Sequence, residues 1–212
     1  HVPFLKEPKK VKQIIQDEDM KALLAAPPDT QKGNRDRMIM ILLYDTAIRI
    51  AEFLELKISS LRLPSVPSIH IHGKDDKERS VSITDATVSH LKKYLRQFHL
   101  EMLPDQPLFY TKIKGSIAPM SPGNVSRIIN KYADAIRSEH PILPKHLHCH
   151  MFRRTRATVL YRNGVELEMI SVILGHSSTE TTRIYATPSI EMLEEAMNTA
   201  NSTIPDETPE WE

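Results

Sequence analysis

Cysteine is nearly absent from this chain. A single one, Cys149 among 212 residues, excludes a disulfide within the chain and fits a reducing, cytoplasmic setting. Long apolar runs are missing too. None approaches the roughly 20 residues that a membrane span requires, so no membrane partner is expected. No secretory signal pattern opens the sequence. There is no internal repeat and no low-complexity segment. The first residues, His1-Val2-Pro3, lack a methionine, and the chain is expected to be a fragment of something longer. A strong net charge is also lacking: the balance is +1 at pH 7, which taken whole argues against a nucleic-acid partner.

The charge that is present is unevenly spread. From Ala186 onward there is no Lys or Arg, and there are seven acids: Glu191, Glu194, Glu195, Asp206, Glu207, Glu210 and Glu212. Setting those seven against the overall +1 leaves +8 on residues 1–185. A basic body with an acidic end is consistent with a polyanion partner. A mixed, solvated surface explains it equally simply, and charge alone favours that plainer account. The rest of the composition, 40% hydrophobic and 26% charged, is that of an ordinary globular chain. It suffices for one good core or two lobes.

Periodicity divides the chain. Residues 1–14 carry Lys6, Lys9, Lys10 and Lys12 around Pro8 and read as an extended basic linker. Asp17 is expected to cap a helix through Met20, Leu23 and Leu24, stopped by Pro27-Pro28. Asn34 is expected to cap the next, whose run from Met38 to Tyr44 is apolar nearly all round and therefore buried. Arg49 opens a third, through Phe53, Leu54 and Leu56. Ile69-His70-Ile71-His72 alternates strictly, as a strand does, and Val81 and Ile83 form its hairpin partner. Thr84 or Asp85 caps a helix through Val88, Leu91, Leu95 and Phe98. Leu108-Phe109-Tyr110 reads as a third short strand. Ser121-Pro122 starts a helix with the apolar face Val125, Ile128, Ile129, Tyr132 and Ile136. The fold class is therefore mainly α with a small antiparallel β-sheet (α+β).

The stretch from His150 to Tyr185 carries the chemistry. His150 and Arg153 are three apart at the start of an apolar-periodic run, which places both on one helix face. Gly164 ends that run in the manner of a residue just past a helix C-terminus. Leu167, Ile170 and Leu174 mark a second helix, ending at Gly175-His176. Ser177 with Glu180 makes a capping-box pattern for a third, and Tyr185 lies at or just past its end. Short connections thus bring a tyrosine hydroxyl toward two histidines and an arginine.

The ordered set His150-x-x-Arg153, Leu174-Gly175-His176 and Tyr185 resembles the active-site box of the tyrosine recombinases, the phage-integrase family. Two further elements match upstream. Arg49-Ile50-Ala51-Glu52-Phe53-Leu54 is similar to the family's helix-opening arginine. Ile71-His72-Gly73-Lys74-Asp75-Asp76-Lys77-Glu78-Arg79 is similar to its lysine-bearing hairpin, with Asp75 where the family has glycine. The resemblance runs from about Asp17 to Tyr185. It implies the DNA breaking-rejoining catalytic fold, shared with type IB topoisomerases, in residues 15–186. Residues 1–14 then join to an N-terminal DNA-binding domain. Residues 187–200 form a C-terminal helix that docks in cis or on a neighbouring protomer, and 201–212 are an acidic tail.

The same resemblance implies roles. Arg49 and Arg153 clamp the non-bridging phosphate oxygens, which suits arginine's planar fork. Tyr185 is the nucleophile, His150 accepts its proton or orients the phosphate, and His176 bonds a non-bridging oxygen. Lys74 protonates the departing 5′ oxygen, with Lys77 as the fallback. Glu52 orients its neighbours. Arg154, Arg156, Lys77 and Arg79 touch the DNA. No cofactor and no metal is implied, and the partners are duplex DNA and further copies of the chain in a synaptic tetramer. Each residue has a plainer account: a lone arginine is mostly a surface ion pair, a lone tyrosine mostly packs. The cluster His146, His148, Cys149 and His150 has ligating groups, but its spacing crowds them and lacks a distant second pair. His70 and His72 share a strand face and read as a polar outer surface. Two functions compete with recombination: a non-catalytic DNA-binding protein of the same fold, and topoisomerase-like relaxation of DNA.

Overall fold

The computed structural model describes residues 13–73, 78–176, 178–185, 190 and 192–194. Its contacts divide the chain into two compact units, His1–Arg156 and Ala157–Glu212. The division falls within the residues 15–186 read from sequence as one catalytic domain. The linker up to residue 12, the tail 201–212 and most of the expected C-terminal helix lie outside the described residues. Among those described, no helix is long and apolar enough to cross a membrane.

The first unit is built on α2, Gln31–Thr46. Met38, Ile39, Met40, Leu42 and Leu43 are all essentially inaccessible, as an all-round apolar helix requires. Its cap is Thr30, whose hydroxyl accepts from the Gly33 amide at 3.1 Å, and not Asn34, which sits one turn inside. The helix starts four residues early because the chain turns tightly before it. A Cβ on Gly33 would stand 2.0 Å from the Pro28 carbonyl oxygen, so only glycine fits there. Before it, α1 spans Asp17–Ala25, capped by the backbone of Gln16 rather than by Asp17. Asp17, Glu18 and Asp19 instead fill its first turn, where acids suit the helix dipole.

Short α3, Ile50–Leu54, stops before Leu56 because the chain there turns to pair elsewhere. The Leu56 carbonyl accepts from the Leu108 amide, and the Ile58 amide donates to Gln106. A three-stranded antiparallel sheet follows: β1 Leu61–Arg62, β2 Ser68–His72 and β3 Glu78–Ser82, in that order. Ile69 and Ile71 face the core, and Ile69 pairs with Val81. α4, Asp85–Phe98, is capped by Thr84 and buries Val88, Leu91, Tyr94 and Leu95.

The strand expected at Leu108-Phe109-Tyr110 begins only at its last residue. β4, Tyr110–Ile113, pairs with β5, Ser116–Pro119, a hairpin that alternation did not reveal. Its turn places Lys114 and Gly115 at φ 49° and 84°, the two positive values of a tight hairpin turn. Leu108 and Phe109 are core residues instead: Phe109 stacks on Phe53 at 4.8 Å. α5, Pro122–Ile136, carries the expected Ser121 cap and buries Val125, Ile128, Ile129 and Tyr132.

α6 spans Cys149–Arg162. Within the second unit, Gly164 (φ 78°) ends it, with Val165 donating back to the Leu160 carbonyl. α7 is Leu167–Leu174, closed by Gly175 at φ 61°, with His176 donating back to Ser171. Two 3-10 turns follow, Thr179–Thr181 and Arg183–Tyr185. Ser178 caps the first by accepting from the Glu180 amide. The cap expected at Ser177 lies outside the described residues.

Candidate active site

In the first unit the site begins where α2 ends. Ala47 takes left-handed backbone, φ 50° and ψ 25°, although it has a Cβ. That conformation costs roughly 1–2 kcal/mol outside glycine. The buried Ala47 carbonyl accepts a 2.6 Å hydrogen bond from Nη1 of Arg153, on α6. A hydrogen bond from a charged donor contributes about 1.5–3 kcal/mol, enough to offset the strained turn. Arg153 is itself only 3% exposed. Two residues beyond Ala47, Arg49 caps α3. The fold therefore brings Arg49 and Arg153 to one loop, from positions far apart in sequence.

Glu52 organises that loop. Its carboxylate accepts from the Arg49 amide at 2.9 Å and from Arg49 Nη1 at 3.0 Å. It also accepts two bonds from Arg79, at 3.0 and 2.8 Å. Burial pushes the Glu52 carboxyl up. The Arg79 and Arg49 hydrogen bonds and the Arg79 charge outweigh burial and hold it down to about 2. Glu52 is thus a fixed anion at neutral pH. Arg79, expected to touch DNA, is instead 13% exposed with its fork closed on Glu52. Its register explains this: Arg79 pairs with Ile71, on the face of β3 that also carries Val81.

Asp45, in the last turn of α2, ties that helix to the start of α4 and to α6. It accepts from the Thr84 amide and hydroxyl, from the Thr87 hydroxyl at 2.7 Å, and from Arg156 at 3.0 Å. Arg156 also lies over the Tyr44 ring. Arg154 donates to the Gln13 carbonyl at 2.9 Å. Both arginines, expected at the DNA backbone, are thus engaged by the protein itself. His150 is exposed on α6, one turn before Arg153, and its ring stacks on that of His148 at 6.4 Å. Burial raises the Cys149 thiol to about 11, so it is neutral at physiological pH and no nucleophile. Lys74 and Lys77 lie outside the described residues.

In the second unit His176 Nδ1 lies 2.9 Å from the hydroxyl of Thr182, which is fully buried. The Thr182 amide donates to the Thr179 carbonyl, so the 3-10 turn itself aims the hydroxyl. Tyr185 closes the next turn, three residues on. Sequence reasoning missed Thr182, Asp45 and the Ala47 carbonyl. It noticed Glu52 but not the partner that fixes it. Only Arg79 left a signal: at two residues from Val81, strand alternation puts it on the buried face.

Residues 13–192 match the model of the phage integrase family. A tyrosine recombinase of Agathobacter rectalis is 40% identical over 164 residues, which are 76% of this chain and 51% of that protein. The chain thus spans about half the length of this curated relative. Among solved structures, that of the XerA recombinase superposes with a TM-score of 0.72 at 28% identity, covering 94% of this chain and 69% of that one. The XerH site-specific recombinase, in a post-cleavage complex with a palindromic difH substrate, also gives 0.72, at 26% identity, covering 91% of this chain and 54% of that one.

Proposed function

The chain belongs to the phage integrase family, and from that premise we propose that it is the catalytic part of a site-specific DNA recombinase. It cuts and rejoins duplex DNA through a covalent 3′-phosphotyrosine, without metal or ATP. The observation that carries this reading is the arginine pair. Arg153, buried and bonded to the Ala47 carbonyl, and Arg49, fixed by Glu52, are held at one loop before any substrate arrives. Phosphoryl transfer is accelerated mainly by such preorganised positive charge on the non-bridging oxygens.

The remaining roles follow from the chemistry. The Tyr185 oxygen forms a bond to phosphorus while the bond from phosphorus to the 5′ oxygen breaks. The tyrosine proton passes to His150, and Lys74 gives a proton to the departing 5′ oxygen. His176, oriented by Thr182, adds a hydrogen bond to the phosphate. The new ester conserves the bond energy, so rejoining is the same path reversed. Arg79 acts through Glu52, and Arg156 through Asp45. Arg154 and Lys77 add positive charge toward the DNA. The +8 balance of residues 1–185 supports a polyanion partner, with affinity that falls steeply with salt.

The enzyme works in the cytoplasm with its DNA and assembles there as a synaptic tetramer. Exposed Ile190 and Leu193, at helical spacing, support docking of the C-terminal segment on a neighbouring protomer. About 1.5–3 kcal/mol per buried side chain, before entropy costs, is too little for a dimer in dilute solution. Assembly therefore waits for DNA to raise the local concentration.

The test is a nicked suicide duplex carrying the target site. The unaltered chain should form a covalent adduct visible on a denaturing gel, and Tyr185→Phe should form none while still shifting the duplex. An adduct with the phenylalanine variant would put the nucleophile elsewhere. No adduct from either chain would favour a DNA-binding accessory role, and relaxation of any supercoiled plasmid a topoisomerase-like one.

A further inference from the structure

The outer face of the β2–β3 ladder carries groups that phosphoryl transfer does not use. Its inner face, with Ile69, Ile71 and Val81, is core. On the outer face His70 and His72 stand two apart on β2, and their cross-strand partners are Ser80 and Glu78. His72 Nδ1 is 3.0 Å from one Glu78 oxygen, and His70 Nε2 is 3.4 Å from the other. All three ligating atoms lie within 4.8 Å of one another, and among the described residues this is the one such group of three.

Those distances fit an ion. Nitrogen and oxygen ligands ~2.0–2.1 Å from a tetrahedral zinc stand roughly 3.3 Å apart. His72 Nδ1 is near that distance from one Glu78 oxygen and His70 Nε2 from the other, and with one atom from each residue every separation is within 4.8 Å. The histidine rings meet edge to face, centroids 5.0 Å apart, so modest rotations of the rings and of the Glu78 carboxylate bring the three atoms onto one ion. The other nitrogen of His70 is occupied as well: Nδ1 lies 3.3 Å from the Ser80 hydroxyl. A hydrogen bond there fixes the ring and leaves the Nε2 lone pair toward Glu78, as the outer partners of metal-bound histidines do. Two imidazoles and one carboxylate on a pleated strand pair favour a borderline transition metal over magnesium or calcium.

We propose that His70, His72 and Glu78 form a binding site for a divalent transition-metal ion of the zinc class, with Ser80 as the outer partner of His70. The ion takes His70 Nε2, His72 Nδ1 and one Glu78 oxygen, and water completes its shell. It joins β2 to β3 across the pair His72 and Glu78, the last described rung of their ladder. Its part is mechanical, fastening two strands, and it enters no step of DNA cleavage. Copper, higher in the affinity order, occupies the same ligands.

The experiment uses the whole chain, stripped of metal and titrated with zinc chloride against a chromophoric chelator. One equivalent should bind with micromolar or tighter affinity. His72→Ala and Glu78→Gln should each weaken binding more than tenfold, and Ser80→Ala by roughly tenfold. These side chains sit on an outer strand face, and circular dichroism melts of the metal-free variants should match the parent. Cobalt in place of zinc should give tetrahedral visible bands that His72→Ala removes. Equal zinc affinity in the parent and in the double variant His70→Gln, His72→Ala would place the ion elsewhere, and so overturn the site. Uptake only at millimolar zinc would overturn it as well.

Discussion

The arginine loop of the first unit and the tyrosine turn of the second are built by different means. Arg153 and Ala47 are 106 positions apart in sequence, and Arg79 and Glu52 are 27 apart. The charges there are interlocked, with Glu52 and Arg153 buried, and the loop exists only because the unit is folded. His176 and Thr182 are six apart, joined through a 3-10 turn with local hydrogen bonds. The contrast separates two tasks. Positive charge for a phosphate must be aimed in advance, because reorganising it during the reaction would cost what it contributes. A nucleophile needs only a local turn to present it. Changes in the loop should therefore damage stability and chemistry together, whereas changes in the turn should damage chemistry alone.

The largest test of that contrast is Arg153→Ala. It removes a proposed phosphate ligand and leaves the Ala47 carbonyl buried without this donor. Cleavage should fall about 100- to 1000-fold, and stability by about 1–3 kcal/mol, read by adduct formation and urea unfolding. Arg153→Lys, which keeps charge but not the fork, should recover only part of either. Wild-type stability in the alanine variant would mean the loop does not depend on that bond.

Glu52→Gln comes next, at about 3 kcal/mol, because two arginines lose their carboxylate. Its pH dependence has a definite sign. Glu52 is held at about 2, below its ordinary 4.5, so the stability it supplies is fully present above pH 4.5 and is lost as pH falls toward 2. The unfolding midpoints of the parent and the glutamine variant should therefore differ at pH 7 and converge on acidification across that window. A gap that stays constant would mean the carboxylate charge is not what holds the loop.

Thr182→Val tests the other side. It keeps shape and burial but removes the hydroxyl that orients His176, so cleavage should fall by roughly tenfold, or about 1.4 kcal/mol at the barrier. The unfolding midpoint should move little. A large loss of stability with unchanged cleavage would reverse the contrast. The smallest effect is Ala47→Gly. Relief of left-handed strain, ~1–2 kcal/mol, is set against roughly 0.5–1 kcal/mol of extra chain entropy. The variant should be up to about 1.5 kcal/mol more stable, with cleavage within a few-fold of the parent.

Much of this was legible in sequence. Alternation located β2 and β3, and helical spacing located α4, α5, α6 and α7, because each has one face in the core. Caps at Thr84 and Ser121, and the stops at Gly164 and Gly175, follow from local chemistry. The cap of α2 at Thr30 was missed because tight packing of Gly33 against Pro28, not the polar residue nearest the apolar run, sets where the helix begins. β4 and β5 were missed because their residues alternate too weakly for a pair lying mostly at the surface.

By itself the sequence named the side chains proposed for the chemistry: the order Arg49, Lys74, His150, Arg153, His176 and Tyr185 points to the family without any coordinates. Tertiary structure alone decided which charges are fixed and by what. No local pattern reports that Ala47 bends left-handed under Arg153, that Asp45 gathers Thr84, Thr87 and Arg156, or that Arg79 turns inward to Glu52. The physical reason is that these are hydrogen bonds between groups 27 to 111 positions apart, inside a low-dielectric interior. Propensity and periodicity report which face of an element is buried. They do not report which buried partner awaits it.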